Sequence, residues 1–269
     1  MADLYATIAE ADEAVQQRIA DVLELRAADL QQRRMLADYL DDLPLTGSGR
    51  VLEIGSGTGA IARALAARPR VSAVMGIDPS EILVERAREQ VGPDEDLSFV
   101  VGDGRELPFE DGSFDAVVCH TSLCHIPGPE RVLAEAWRVT AEGGSLAVFD
   151  GDYATTTVAI GGADPLQACA DAAVQALVHD RFLVRHLPAL TRGAGWDVLR
   201  VRSHGYVETE DPQYLLTIID RGADALVSSG QLGDAAADAL KDEARRRAQR
   251  GEFFGHIAYA SMIATRGAR

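Results

Sequence analysis

Lysine is nearly missing from this 269-residue chain. Lys241 is the single example, and arginine supplies the rest of the 26 basic residues, set against 42 acidic ones. The net charge of −16 repels nucleic-acid phosphates and anionic bilayers alike, so neither is expected as a partner. Cysteine is scarce as well. Cys119, Cys124 and Cys169 are too few and too irregularly spaced for a disulfide framework. Cys119-His120 and Cys124-His125 gather four metal-binding side chains, but zinc sites use paired spacings over a longer span and Cys119 sits in an apolar, strand-like run. No metal site is expected. No apolar run approaches the roughly 20 residues of a spanning helix, and Met1-Ala2-Asp3-Leu4 lacks the basic start and apolar core of an export signal. These absences lead to the expectation of a soluble cytoplasmic protein.

What is present is a hydrophobic fraction of 47%, ordinary for a globular protein that buries one large core. There is also one organising stretch, Val51-Leu52-Glu53-Ile54-Gly55-Ser56-Gly57-Thr58-Gly59. It reads as a buried strand entering a glycine turn, with a helix beginning near Ala60. Such a turn lets a ligand approach the backbone, and the helix start favours a polar or anionic group. Gly55, Gly57 and Ala60 alone also fit a dinucleotide fingerprint with alanine in third place.

Before this stretch, residues 3–43 carry helical spacing, with Val15, Ile19, Val22 and Leu23 on one face and Leu36, Tyr39, Leu40 and Leu43 repeating it. After it, strands are expected at 73–77, 97–101, 114–119, 145–149 and 198–202, and a last one over 253–263. Helices are expected from Ser80-Glu81, where Ser80 suits a cap, and from Pro129, a favoured first helical position. Further helices fit 165–180, 182–191, 214–228 and 235–250. The sequence therefore predicts an α/β fold: a Rossmann-like, mostly parallel sheet of seven strands, whose last pair, joined by a long excursion, suits the antiparallel terminal strand of the family that the core resembles. We expect one domain over 1–269, made of an N-terminal helical cap (1–46), a core (47–150) and remaining strands (151–269). Insertions at 152–196 and 205–252 leave from the ligand-binding edge of the sheet and can roof a pocket.

Three carboxylates end three successive strands: Glu53, Asp78 after Ala73–Ile77, and Asp103 after Leu97–Val101. This pattern, together with Leu107-Pro108-Phe109 and Ser113-Phe114-Asp115, resembles the S-adenosylmethionine site of class I methyltransferases. The core, about residues 48–150, is similar to the ubiquinone/menaquinone-biosynthesis type, methyltransferase type 11, which acts on small molecules. The resemblance implies S-adenosylmethionine as cofactor. Gly55, Ser56, Gly57 and Gly59 would border it, Glu53 would hold its methionine amino end, and Asp78 with Pro79 would meet the ribose. Asp103, Gly104 and Arg105 would fix the adenine, and His120 would lie near the methionine part. In related enzymes the N-terminal helices fold over the cofactor, which makes Tyr5, Arg26 and Arg33 conceivable contacts.

The expected activity is methyl transfer to a small apolar or aromatic metabolite or natural product, with oxygen or carbon favoured as the acceptor atom. His125 and Tyr153 are the catalytic candidates, and Asp152, His179, His204, Tyr206 and His256 are further pocket candidates. A homodimer is compatible with this reading. No Asn-Pro-Pro-Tyr-type sequence follows the fourth strand, which argues against methylation of DNA adenine or protein glutamine. Two alternatives stand beside methyl transfer: an NADP-dependent oxidoreductase, which the Asp103 region disfavours, and a noncatalytic regulator that binds S-adenosylmethionine.

Overall fold

The computed structural model describes residues 8–45, 49–92 and 96–267; Tyr5 lies outside them. Among these residues the helices are α1 (Glu13–Ala28), α2 (Leu30–Leu40), α3 (Ala60–Ala66), α4 (Glu81–Glu89), α5 (Pro129–Val139), α6 (Leu166–Leu177), α7 (Leu183–Gly193), α8 (Gln213–Ser228) and α9 (Asp234–Arg250). The strands are β1 (Gly49–Ile54), β2 (Val71–Asp78), β3 (Leu97–Val101), β4 (Phe114–His120), β5 (Thr140–Thr157), β6 (Asp197–Glu208) and β7 (Gly255–Thr265). They form one sheet in the order β3-β2-β1-β4-β5-β7-β6. Neighbours from β3 through β5 pair in parallel, and β7 runs antiparallel to both β5 and β6. The expected seven-stranded sheet with an antiparallel last strand is what the chain forms.

Local chemistry accounts for these elements. Val51, Leu52 and Ile54 are buried on a strand that lies between two parallel neighbours, so a continuous apolar run is what its position requires. Ser80 caps α4 by accepting the Leu83 amide at 3.2 Å, and Asp29 caps α2 by accepting the amides of Gln31 and Gln32, both at 2.8 Å. Pro129 opens α5.

Two strands are longer than expected. β5 continues well past Phe149 because β7 pairs with it as far as Thr157↔His256. β6 reaches Glu208 for the same reason, its far end pairing with Gly255. The sequence Asp150-Gly151-Asp152 looks like a turn in isolation, and tertiary pairing overrides it.

Strand order reverses direction around β1, with β2 on one side and β4 on the other. In open α/β sheets that switch point is where ligands bind, outside the carboxyl ends of the strands. A cavity of about 390 Å³ opens there, walled by α1, α2, α6 and α8. Of the helices in 152–196 only α6 reaches it; α7 packs on β5, β6 and β7 as a sheet-covering helix. Of those in 205–252 only α8 reaches it, and α9 packs outside α8. No helix among the described residues is long and apolar enough to cross a membrane.

Candidate functional site

The glycine turn sets the floor of the cavity. Gly55 has φ of +75°, and a Cβ there would lie 2.5 Å from the Ser122 Cβ, so only glycine fits. Gly55, Ser56, Gly57 and Thr58 line the cavity. Gly59 does not, which corrects its expected place beside a ligand. It caps α3 at φ +76°, and its missing Cβ makes room for the Phe99 ring, 2.4 Å from where that atom would sit. Its task is to pack the helix against the sheet.

Two buried carboxyls meet at the strand ends. Asp78, 6% exposed, accepts the Gly57 amide at 2.8 Å and the Ser80 amide at 3.0 Å. Burial pushes its pKa up to about 6, with those two amides opposing the rise. Glu53, 1% exposed, is driven well above the ordinary carboxylate range by burial and by the Asp78 charge, while the Ala62 amide and Arg63 pull the other way. Its Oε2 has no hydrogen-bond partner among the described residues, and neither does the buried Ser56 hydroxyl. Gln32 and Thr58, also in the lining, add two more such atoms. Orphaned buried polar atoms are rare and costly, so a cavity whose lining residues carry four is shaped for a polar ligand.

Asp103, Gly104 and Arg105 also line the cavity. Asp103 is more exposed than the other two acids. Its carboxylate is bracketed by its neighbour Arg105, whose backbone amide donates at 2.8 Å and whose Nη2 donates at 2.7 Å. Those Arg105 contacts hold it below the usual carboxylate range. Pro79 completes the β2 edge of the lining.

At the end of β4, His120 is buried in a cluster of rings with Phe149 at 4.7 Å and Tyr39 at 5.7 Å, which also stack on each other at 5.2 Å. Its Nδ1 shares a 3.0 Å hydrogen bond with the Tyr39 hydroxyl. Burial, with the Arg26 charge adding to it, holds the imidazole pKa well below its ordinary value and keeps the ring neutral. The next residue, Thr121, has φ of +50°, an outlier for a β-branched residue and a form of strain found where function requires it. Its hydroxyl accepts Arg26 Nη2 at 2.6 Å, tying α1 across the cavity to the end of β4.

His125 and Tyr153 both line the cavity. His125 ends a single 3₁₀ turn, Leu123–His125. That turn is fastened to fully buried Asp150, whose carboxylate accepts the Cys124 amide at 3.1 Å. Burial raises the Asp150 carboxyl, and the nearby His125 is the first influence acting against that rise. Tyr153 lies on β5, edge-on to Tyr259 at 6.2 Å, and Gly151 makes room for its ring. Burial holds its hydroxyl far above the usual tyrosine pKa, with Tyr259 reinforcing the effect. Tyr153 therefore presents a donor and not a base.

The other pocket candidates do not converge. Asp152 accepts Arg185 at 2.8 Å, His204 bonds Ser261 at 2.8 Å, and Tyr206 donates to Asp29 at 3.1 Å. None of these three, nor His179 or His256, is part of the cavity wall. Conversely, sequence reading did not single out Tyr39, Thr121, Asp150 or Arg221 for this site. Tyr39 was legible only as one more apolar-face residue of α2, and Arg221 carried no signal beyond helical spacing.

Comparison with known proteins agrees with this geometry. Residues 52–148 match the family model described as a methyltransferase domain. The chain is 31% identical over 171 residues to the Methyltransferase GfsG of Streptomyces halstedii, covering 62% of this chain and 60% of that one. It is 36% identical over 151 residues to the 27-O-demethylrifamycin SV methyltransferase of Amycolatopsis mediterranei, covering 55% and 48%. The chain thus spans about half to three-fifths of these relatives' length. Among solved structures, the [4+2]-cyclase SpnF superposes with a TM-score of 0.56 at 22% identity, over 88% of this chain and 82% of that one. That likeness is one of fold.

Proposed function

We propose that this chain, whose residues 52–148 match a methyltransferase domain, is a class I S-adenosylmethionine-dependent methyltransferase that methylates a small, largely apolar or aromatic acceptor at oxygen or carbon. The observation that carries the reading is the unpartnered Oε2 of buried Glu53, beside Asp78, on the floor of one cavity. S-adenosylmethionine brings an ammonium group, a ribose diol and a methyl group activated by a sulfonium. Glu53 fits the ammonium, because a buried carboxylate with an unused lone pair gains most from a charged donor. Asp78, held in place by two amides, fits the diol. Gly55, Ser56 and Gly57 leave the backbone open to close approach, with Pro79, Gly104, Arg105 and Asp103 along the adenine side. Arg26, anchored on Thr121 beside His120, fits the methionine carboxylate.

The rest of the chain's work is positioning and exclusion of water. Residues such as Leu36, Val174, Leu177 and Ile218 give the cavity an apolar wall. In our reading His125 removes the acceptor's proton, and Asp150 steadies the turn that presents it. Tyr153 donates a hydrogen bond that orients the acceptor. The whole of 1–269 acts as one unit in the cytoplasm, as a monomer or a homodimer.

The test is transfer of labelled methyl from S-adenosylmethionine to a panel of small phenols, alcohols and enolisable ketones. Wild type should label at least one member, and Glu53→Gln should abolish labelling. His125→Ala should lower kcat by about 10²–10⁴-fold, the range for loss of a general base. Cofactor binding without transfer to any acceptor would favour a noncatalytic role. For carbon or soft nucleophiles a small His125→Ala effect would remove the base from the mechanism without removing the activity.

A further inference from the structure

The cavity is sorted by charge. Its carboxylates among the described residues are Glu53, Asp78 and Asp103, all at strand ends on the floor. The roof helices α1, α2 and α8 contribute Arg26, Arg33 and Arg221, and among the described residues no acid from any of them lines the cavity; the other lining arginine, Arg105, lies on the floor and is paired with Asp103. In a chain with 42 acidic and 26 basic residues, that distribution runs against composition.

Helix α8 shows how the sorting is built. Tyr214, Thr217, Ile218 and Arg221 fall at i, i+3, i+4 and i+7 and form the face that lines the cavity, as helical geometry dictates. The acids of the same helix point elsewhere: Asp220 bonds Arg245 at 2.8 Å, and Asp224 bonds Lys241, both partners lying on α9. Helix α1 repeats the arrangement. Asp21 pairs with Arg86 at 2.9 Å and Glu24 with Arg63 at 3.1 Å, toward α4 and α3, while Arg26 faces inward. The acids serve the outer contacts and the arginines face the interior. Arg221 is half-buried and shares its wall with apolar groups, a setting that strengthens the attraction of a guanidinium for an added anion.

We infer that the methyl acceptor carries an acidic group, a carboxylate or a phosphate on an apolar body, and that Arg221, with Arg33 on the same cavity, receives it. The inference rests on the methyl-transfer reading above and names its substrate class. Guanidinium groups suit both anions because their planar fork matches carboxylate and phosphate oxygens. The floor takes the cofactor's cationic groups, Arg26 keeps its methionine carboxylate, and Arg221 with Arg33 takes the anionic acceptor, so the two ligands are kept apart by charge within one cavity.

The experiment is ligand-observed NMR on protein saturated with S-adenosylhomocysteine, using matched sets of aromatic and alicyclic carboxylates, their primary amides and the corresponding aryl phosphates. Wild type should bind at least one carboxylate or phosphate ten times more tightly than its neutral partner, and the more strongly retained anion identifies the source. Arg221→Gln should erase that preference, Arg33→Gln should reduce it, and Arg246→Gln, which removes a charge on the outer helix α9, should leave it intact. Neutral partners binding as well as the anions, or a preference that survives Arg221→Gln and Arg33→Gln together, overturns the inference. So does a loss of S-adenosylhomocysteine affinity in Arg221→Gln, which would assign the guanidinium to the cofactor. Failure of wild type to bind S-adenosylhomocysteine at all would instead sink the methyl-transfer reading.

Discussion

At the scale of single residues, the site depends on carboxyls kept in an unfavourable setting until a ligand arrives. Asp78 rises from an ordinary 3.8 to about 6 on folding. A carboxyl whose pKa is raised by folding favours the folded state below about pH 4, and that contribution is lost as pH climbs through about 6. Donors from a ligand reverse the shift by favouring the ionised form, so binding below pH 6 must expel a proton. We predict that S-adenosylhomocysteine affinity weakens below pH 6 by up to about tenfold per pH unit for each carboxyl that must release its proton. Asp78→Asn should lower that slope, and adding Glu53→Gln should flatten it. Calorimetry in buffers of different ionisation enthalpy reads this directly, and an unchanged slope in the double variant contradicts it. Gly59→Ala makes the complementary case. Its Cβ would press on Phe99, and overpacking costs about 1–3 kcal/mol, so thermal denaturation should show a lowered Tm. Cofactor affinity of the folded fraction should hold, because Gly59 is outside the cavity wall.

At the scale of elements, α6 and α8 form a roof whose tightness is set by one position. A Cβ on Gly222 would fall 1.7 Å from the carbonyl oxygen of Cys169 on α6, so the two backbones touch where glycine permits it. Gly222→Ala should push α8 off α6 and displace the cavity face that bears Ile218 and Arg221. The floor would be untouched, since Glu53 and Asp78 belong to β1 and β2. The expected outcome is S-adenosylhomocysteine affinity within about threefold of wild type, together with an acceptor KM raised by tenfold or more; equal losses in both would show that roof and floor are not separable. This division also explains what the sequence disclosed. The floor was legible because its residues cluster at the ends of apolar runs between 51 and 105, where turn chemistry marks the boundary. The roof was legible only in outline, as the N-terminal helices with Arg26 and Arg33 and the insertions at 152–196 and 205–252, because only packing decides which helices reach the cavity and which face of each turns inward. The far halves of β5 and β6 were hidden similarly. The polar run Thr155-Thr156-Thr157 does not announce the end of a long strand, and the extension follows from pairing with β7.

At the scale of the whole molecule, an acidic chain encloses a cavity with an acidic floor and a basic roof, at the switch point of a parallel sheet. The number of strands and the placement of the glycine turn follow from the sequence by periodicity and motif, and the antiparallel β7 from the family resemblance. The internal sorting of charge emerges only when the helices are seen in place. The dinucleotide alternative shares the glycine turn and the acid after β2, so the ligand must decide between them. The most direct measurement is isothermal calorimetry of wild type and Asp78→Ala with S-adenosylmethionine, S-adenosylhomocysteine and NADP. Wild type should bind both adenosyl ligands and not NADP, and Asp78→Ala should weaken them by tenfold or more. Binding of NADP without the adenosyl ligands would contradict it.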